Sequence, residues 1–251
     1  MTVVNGTFEN SVYRIMLNRP EKKNPMSLEL LMDLYSTLEE AEAKKVSIVV
    51  IRGAGGAFSA GGDVLEFRDS QEPDVQIDTM ANMLHRSIVK IRRMNAIVIA
   101  VVEGLAFGGG LSLSLACDLT IAEEKTIMNM AYRRIGLTPD GGASLFLARL
   151  AGMKRFNEFY LLSRNIGMEE AKEIGLVNYI CAKDELEQKV NSLIAELLAL
   201  PMETIGEMKD LVNRSLFPSL EDHLDRERWC VSECAKKREF QERLAARFRK
   251  G

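Results

Sequence analysis

Hydrophobic and polar positions in the first half of the chain follow two periodicities in turn. Residues 11–17 are rich in β-branched and aromatic side chains, and continuous apolar runs occupy residues 47–51 and 97–102. Continuous runs of this length are typical of parallel strands that are covered on both faces. Apolar residues recur at helical spacing after Ser27, a good N-cap residue, and again over residues 83–91. The pattern therefore predicts strands that alternate with helices.

The second half of the chain has a different pattern. Short apolar runs at residues 119–122 and 127–130 complete the predicted strands, and helical spacing dominates after Gly141. The final segment is charged and amphipathic, and the chain contains no internal repeat. We therefore predict an α/β fold with a core over residues 1–195 and a helical C-terminal region over residues 196–251.

The composition is that of a folded, water-soluble chain. Hydrophobic residues make up 47% and charged residues 27%, and 33 Lys and Arg stand against 36 Asp and Glu, for a net charge of −3. This balance creates no general positive field, which argues against nucleic acid and membranes as partners. The N-terminus has no signal-peptide pattern, and Glu103 and Gly104 interrupt the longest apolar stretch. We predict a cytoplasmic protein.

Cysteine and histidine are too sparse to predict a metal site. The chain has four cysteines, none in a CxxC pair, and two histidines, His85 and His223. We therefore expect free thiols in a reducing compartment and no bound metal.

Two glycine-rich loops, residues 57–63 and 104–110, each follow a predicted buried strand. Backbone N–H groups at such turns and at helix N-termini can bind an anion or an oxyanion. Glycines needed for tight turns and close helix–sheet packing explain each loop equally well when it is taken alone. Neither loop has the lysine of a Walker A motif or GxGxxG spacing.

The two loops belong to an ordered series of motifs that resembles the crotonase superfamily, the enoyl-CoA hydratase/isomerase fold. The matching stretches are Leu17-Asn18-Arg19-Pro20 with Asn24, residues 58–63, residues 103–110, Ala116-Cys117-Asp118, residues 136–142, and Ala171 with Gly175-Leu176-Val177. The resemblance implies a spiral of ββα units with a C-terminal helical region that builds homotrimers or dimers of trimers. It also implies acyl-coenzyme A thioesters as substrates, with coenzyme A as part of the substrate and no separate cofactor.

In that family, two backbone N–H groups bind the thioester oxygen, and the resemblance assigns this role to Ala60 and Gly109. Donors of this kind stabilise the enolate that forms when a thioester loses a carbon-bound proton, by roughly 3–4 kcal/mol each in other enzymes. Further substrate contacts are expected from the same two loops, at Ser59, Gly61, Gly62, Asp63 and Gly108.

Hydratases of the family use two glutamates, and the matching positions here hold Ser112 and Tyr132. Adding water across a double bond needs a base for the water and an acid for the carbon. The sequence therefore argues against efficient hydratase activity.

Asp140 matches the carboxylate that family isomerases and the 4-chlorobenzoyl-CoA dehalogenase place near the substrate. One carboxylate can move a proton from one carbon to another two positions away, so enoyl-CoA isomerase activity is the first prediction. The sequence Pro-Asp-Gly-Gly is also ordinary turn chemistry, with Asp140 as a helix cap.

His85 and Tyr132 match the histidine and tryptophan positions of the dehalogenase. They support an alternative, an acyl-CoA hydrolase or dehalogenase-like enzyme in which Asp140 is the nucleophile and His85 activates water. Residue type alone favours a surface or interface histidine for His85, and Tyr132 also fits a core strand position with its hydroxyl hydrogen-bonded. A third alternative is a family member of low activity that binds acyl-CoA.

Coenzyme A is highly anionic, so basic residues are expected to gather near its nucleotide. The resemblance points to Lys22 and Lys23 in an early loop, and to Phe248 and Lys250 at the chain end, where relatives contact the CoA of a neighbouring subunit. Solvated surface charge is the competing explanation for each lysine.

Overall fold

The computed structural model describes residues 2–249, which form one main sheet, a small second sheet and surrounding helices. The strands within these residues are β1 (Val4–Glu9), β2 (Val12–Leu17), β3 (Ile48–Gly53), β4 (Ile97–Val102), β5 (Leu105–Phe107), β6 (Leu119–Glu123), β7 (Ile127–Asn129) and β8 (Tyr179–Cys181). The main sheet has the order β1-β2-β3-β4-β6-β8, and β5 pairs with β7. Only β1 and β2 are antiparallel; the other pairs are parallel.

Helices connect these strands and complete the chain. They are α1 (Leu28–Ala43), α2 (Val64–Asp69), α3 (Pro73–Arg93), α4 (Gly109–Ala116), α5 (Ala143–Leu162), α6 (Met168–Glu173), α7 (Leu186–Leu198), α8 (Ile205–Leu216), α9 (Leu220–Ala235) and α10 (Arg238–Phe248). Helix α1 begins as predicted, because the Ser27 hydroxyl accepts a hydrogen bond from the Leu30 amide at 3.2 Å.

The main sheet is covered on both faces, which explains its continuous apolar runs. Val49 and Ile51 of β3 pack into the larger core cluster with α1, α3 and α4, while Ile48 and Val50 pack into a smaller cluster with α7. Successive side chains of a strand point to opposite faces, so every position of such a strand is apolar.

The predicted alternation of strands and helices is confirmed, but three strands were not predicted: β1, whose positions are mostly exposed at the sheet edge, and the two short strands β5 and β8. β5 lies inside the second glycine-rich loop, and β8 lies at the sheet edge in a region predicted to be helical. Each has three residues, too few to show a periodicity of two.

The C-terminal helices pack on the core of their own chain. Lys209 of α8 is buried, and its ammonium donates to the carbonyls of Ile91 and Ala96 and to Asp118 Oδ2, at 2.7–2.9 Å. Helix α9 lies along α3, and α10 contacts α2.

The predicted boundary between residues 195 and 196 falls inside α7, and the two-part division stays a prediction. None of the helices within residues 2–249 is long and apolar enough to cross a membrane.

Candidate active site

An apolar cavity of about 150 Å³ lies between the two glycine-rich loops, α2, α3 and the loop before α5. Its side-chain wall includes Met26, Leu31, Val64, Phe67, Ile77, Met80, Ala81, Leu84, Leu137 and Val231. Among the described residues, Asp140 is the one carboxylate in this wall, and Arg134 and Arg247 are its cations. The cavity therefore combines a hydrocarbon surface with a single acidic group.

The two glycine-rich loops are held side by side by backbone hydrogen bonds. The Phe107 amide donates to the Ser59 carbonyl at 2.9 Å, and the Ser59 amide donates to the Leu105 carbonyl at 3.1 Å. Gly61 has a φ of +89°, and a Cβ there would lie 2.7 Å from the Phe107 carbonyl oxygen. Only glycine fits this close approach, which brings the backbone of both loops to the cavity.

The backbone amides of these loops differ in whether they are free. The Ala60 amide donates to the Lys23 carbonyl at 2.9 Å, and the Gly61 amide donates to the Ser59 hydroxyl at 3.2 Å. Within the described residues, the amides of Gly62 and Gly109 have no acceptor, and both glycines line the cavity. Gly109 is the first residue of α4, where N–H groups lack partners inside the helix.

This geometry changes the predicted donor pair. An amide that is already paired gives up a hydrogen bond when it binds another oxygen, so Ala60 is a poorer candidate than Gly62. The sequence motif locates the loop, but it does not reveal which amide of the loop is already paired. Gly108 and Gly61 lie in the cavity wall as predicted neighbours of these donors.

Asp140 and His85 form a buried pair at the edge of the cavity. His85 Nε2 lies 2.7 Å from Asp140 Oδ1, while Oδ2 of Asp140 has no hydrogen-bond partner among residues 2–249. Burial alone would lower the pKa of His85, but the charge of Asp140 and its hydrogen bond, with the charge of Glu227, raise it above its usual value. The charge of Asp140 therefore favours a protonated ring whose Nε2 donates to Asp140 Oδ1, and the Gly141 amide lies 3.3 Å from the same nitrogen.

Asp140 is not a helix cap. The N-terminus of α5 is capped by Glu227, a buried residue of α9 that the sequence did not single out. Its carboxylate accepts hydrogen bonds from the amides of Gly142 at 2.6 Å and Ser144 at 3.0 Å, and from the Ser144 hydroxyl. No local motif marks a cap that comes from a helix more than 80 residues away in the chain.

His85, Asp140 and Glu227 also satisfy the spacing of a metal site, since one ligand atom of each lies within 4.8 Å of the others. Their facing atoms are already used: His85 Nε2 by Asp140, and both Glu227 oxygens by the N-terminus of α5. These contacts fit an ion pair beside a helix cap better than a set of open metal ligands.

Ser112 and Tyr132, which replace the two hydratase glutamates, meet at the Asp140 backbone. Each hydroxyl lies 2.7 Å from the Asp140 carbonyl oxygen, and the two hydroxyl oxygens are 2.8 Å apart. Burial and the nearby Asp140 raise the pKa of Tyr132 well above its usual value, so the phenol stays neutral. The two side chains position the loop that carries Asp140.

The side chains of Ser59 and Asp63, two of the predicted substrate-contact residues, stabilise the first glycine-rich loop on the side away from the cavity. The Ser59 hydroxyl donates to the Asn24 carbonyl at 2.8 Å. Asp63 forms an ion pair with Arg19 at 2.7 Å and caps α2 through the Leu65 amide. Neither side chain lies in the wall of the cavity described within residues 2–249.

The predicted nucleotide contacts are dispersed. Lys22 and Lys23 are exposed and lie outside the cavity wall. Phe248 has the Arg68 guanidinium 4.6 Å from its ring, and its contact with the CoA of a neighbouring subunit stays a prediction. Lys250 lies outside the described residues. Arg247, next to Phe248, does line the cavity.

Comparison with known proteins assigns the family. The sequence model of the enoyl-CoA hydratase/isomerase family matches residues 7–250, so the chain belongs to this family of the crotonase superfamily. The 4-chlorobenzoyl coenzyme A dehalogenase-2 of Arthrobacter sp is 30% identical over 239 residues, 94% of this chain and 87% of that protein. The trans-2-decenoyl-[acyl-carrier-protein] isomerase of Streptococcus mutans is 26% identical, over 95% of this chain and 92% of that protein.

The fold is shared with solved structures. A crystal structure of an enoyl-CoA hydratase from Mycobacterium avium subsp. paratuberculosis K-10 superposes with a TM-score of 0.89 at 30% identity, covering 98% of each chain. The predicted crotonase-type α/β fold with C-terminal helices is confirmed, and the chain is an acyl-CoA-processing enzyme of that superfamily.

Proposed function

We propose that this enzyme moves the double bond of an enoyl-CoA thioester, with Asp140 as the group that carries the proton. The observation that carries the proposal is the single carboxylate in the cavity wall: Oδ1 is fixed by His85 and Oδ2 is free. A proton shift within one substrate needs one base that later acts as an acid. No electrons are exchanged with a second molecule, so no separate cofactor is needed.

The proton transfer has two steps. Asp140 Oδ2 removes a proton from the carbon between the thioester carbonyl and the double bond, and the electron pair spreads into a dienolate. The free amides of Gly62 and Gly109 are the proposed donors to its oxygen. Asp140 then returns the proton two carbons away, which leaves the double bond conjugated with the carbonyl and restores the carboxylate.

Hydration fits the cavity less well. It requires a base for water in addition to a proton donor for carbon. The hydroxyls that stand at the two glutamate positions are bound to the Asp140 carbonyl, and Tyr132 is held neutral by its surroundings. Asp140 is thus left to perform the proton transfer alone.

The coenzyme A moiety is proposed to use the cations at the cavity. Arg134 and Arg247 line the wall and can pair with phosphates, and Arg68 lies against Phe248 nearby. Exposed Lys22 and Lys23 remain candidates for the nucleotide end, as does Lys250. The homotrimer or dimer of trimers and the cytoplasmic location stay predictions.

An acyl-CoA hydrolase or dehalogenase-like enzyme is the second candidate. The contact between His85 and Asp140 favours it, as does the similarity to a dehalogenase. In that chemistry Asp140 attacks a carbon of the acyl group and expels a leaving group, and His85 accepts a proton from water to cleave the ester. Burial opposes the charged ring, but the charge of Asp140 raises the pKa of His85 above its usual value, which disfavours the neutral ring that this step needs.

A 3-enoyl-CoA incubated with the enzyme in D₂O separates the candidates. The proposal predicts conversion to the conjugated 2-enoyl-CoA, without release of free coenzyme A and without a hydroxyacyl product. Free coenzyme A, or halide from a haloacyl-CoA, would support the second candidate instead. Acyl-CoA binding without turnover of any thioester would contradict both and support the low-activity alternative.

A further inference from the structure

His85 stands between two separate openings in the protein. Its partner Asp140 lines the cavity described above, whereas His85 itself lines a second cleft of about 570 Å³, formed by α1, α3 and α9. Among the described residues that form this rear cleft are Asn82, Arg86 and Val89 of α3. One buried imidazole therefore links the candidate active site to the far side of helix α3.

The two ring nitrogens of His85 have different surroundings. Nε2 is bound to Asp140, but Nδ1 is buried and has no hydrogen-bond partner within the part of the chain that the structure describes. A buried N–H group without an acceptor raises the free energy of the protein, and transfer of the Nδ1 proton to water removes this penalty. Nδ1 is the ring atom left free for proton exchange.

The rear cleft is suited to water. Its wall carries charges of both signs, with Arg86, Lys90 and Arg93 facing Glu42, Glu221 and Asp225. The groups that act on the imidazole itself are Asp140 and Glu227, which favour its charged form, and Arg228, which opposes it. A polar cleft of this size holds several water molecules, each with polar partners.

We propose that the rear cleft is the route by which the His85–Asp140 pair exchanges protons with solvent while an acyl-CoA fills the front cavity. The proposal rests on Asp140 as the proton carrier, and it adds to the isomerase assignment a role in proton exchange for His85 and the rear cleft. The substrate covers Oδ2 from the front, so the imidazole is the remaining connection between the carboxyl group and water.

The relay conserves protons. From the ion pair, Nδ1 releases its proton to water in the cleft, and the neutral ring keeps its Nε2 proton hydrogen-bonded to Asp140 Oδ1. In the other direction, water protonates Nδ1, and Nε2 passes its proton to Asp140 Oδ1, which gives a neutral pair with the same number of protons as the ion pair. Histidine performs this transfer readily, because each of its ring nitrogens can gain or lose a proton near neutral pH.

The exchange rate of the His85 ring protons tests the route directly. The chain has only two histidines, so NMR of ¹⁵N-histidine-labelled protein resolves His85 once His223 is assigned. We expect butyryl-CoA, which fills the front cavity without a double bond to move, to leave the His85 exchange rate within about twofold, because the rear opening stays available. A strong decrease on adding butyryl-CoA would overturn the proposal.

Val89 offers a matched set of variants, because it lies one helical turn after His85 in the rear cleft. We expect Val89→Trp to slow His85 exchange about tenfold by filling the cleft, and Val89→Ala to accelerate it. Val75→Trp, at an exposed position of the same helix, is the control and should change nothing. Unchanged exchange in both Val89 variants would overturn the proposal.

These results are distinguishable from a failure of the proposed function. The exchange rate is measured without turnover, so it can support the rear route even if no 3-enoyl-CoA is isomerised. Conversely, isomerisation together with exchange that is insensitive to Val89 would retain the function and reject the route. If Val89→Trp does not fold, Val89→Ala and the butyryl-CoA comparison still decide the outcome.

Discussion

His85 Nε2 lies 2.7 Å from Asp140 Oδ1, and both side chains are almost fully buried. The two residues are 55 positions apart in the sequence, on α3 and on the loop before α5. The pair fixes one oxygen of the carboxylate and leaves the other free at an apolar cavity. That arrangement orients Asp140 for the proposed role of proton carrier.

The charge of His85 should persist above the pH at which an ordinary histidine loses it. Its pKa is raised in the folded protein, so the ion pair contributes stability fully below the usual value of 6.5 and loses it as pH rises through the raised value. NMR titration should show His85 titrating above 6.5, and urea unfolding should show the stability falling across that window. A His85 that titrates below 6.5 would contradict the ion pair.

Glu227 should support both the ion pair and helix α5. Glu227→Gln removes a charge that favours the imidazolium and weakens the cap on Gly142 and Ser144. We expect the pKa of His85 to fall and the free energy of unfolding to drop by about 1–2 kcal/mol. Glu233→Gln, on the same helix but half-exposed and paired only with Lys236 among the described residues, is the control and should leave the His85 titration unchanged. An unchanged His85 titration in Glu227→Gln would refute the electrostatic role.

Ser112 and Tyr132 should act by positioning Asp140 rather than by transferring protons. Ser112→Ala and Tyr132→Phe each remove a hydroxyl at the Asp140 carbonyl, and we expect each to cost about 1 kcal/mol of stability. The kcat of isomerisation should decrease by about tenfold, well short of the 10²–10⁴-fold effect typical of a lost acid or base. A loss as large as that of an Asp140 variant would show that one of them carries the proton.

Gly109 should supply its amide to the thioester oxygen. Gly109 is the first residue of α4, a position that accepts proline, so Gly109→Pro removes the N–H with little disturbance of the helix. We expect kcat to fall by about 10²–10³-fold relative to Gly109→Ala. The alanine variant is the matched control, because it adds a Cβ near Met26 and Leu84 but keeps the amide. Equal activity of the two variants would exclude this donor.

The sequence predicted the elements whose patterns are local and long. Ser27 and the apolar positions after it located α1, and the β-branched run before Gly53 located β3, because each pattern extends over several residues. The strands β5 and β8 escaped prediction because a strand of three residues is held by its partners more than by its own sequence.

The site was predictable where motifs mark it and obscure where partners are distant. Asp140 and Gly109 could be located from their motifs, and both line the cavity. The pairing of the Ala60 amide with Lys23 and the cap from Glu227 depend on tertiary contacts that no sequence pattern records. The choice of Gly62 as the second donor therefore required the three-dimensional arrangement.

The most direct test of the account compares the wild-type enzyme with Asp140→Asn in steady-state conversion of a 3-enoyl-CoA to the conjugated 2-enoyl-CoA. Asparagine keeps the size and a hydrogen-bonding oxygen but cannot carry the proton, so kcat should fall by about 10²–10⁴-fold while butyryl-CoA still binds. Full isomerase activity in Asp140→Asn would contradict the assignment of Asp140 as the proton carrier.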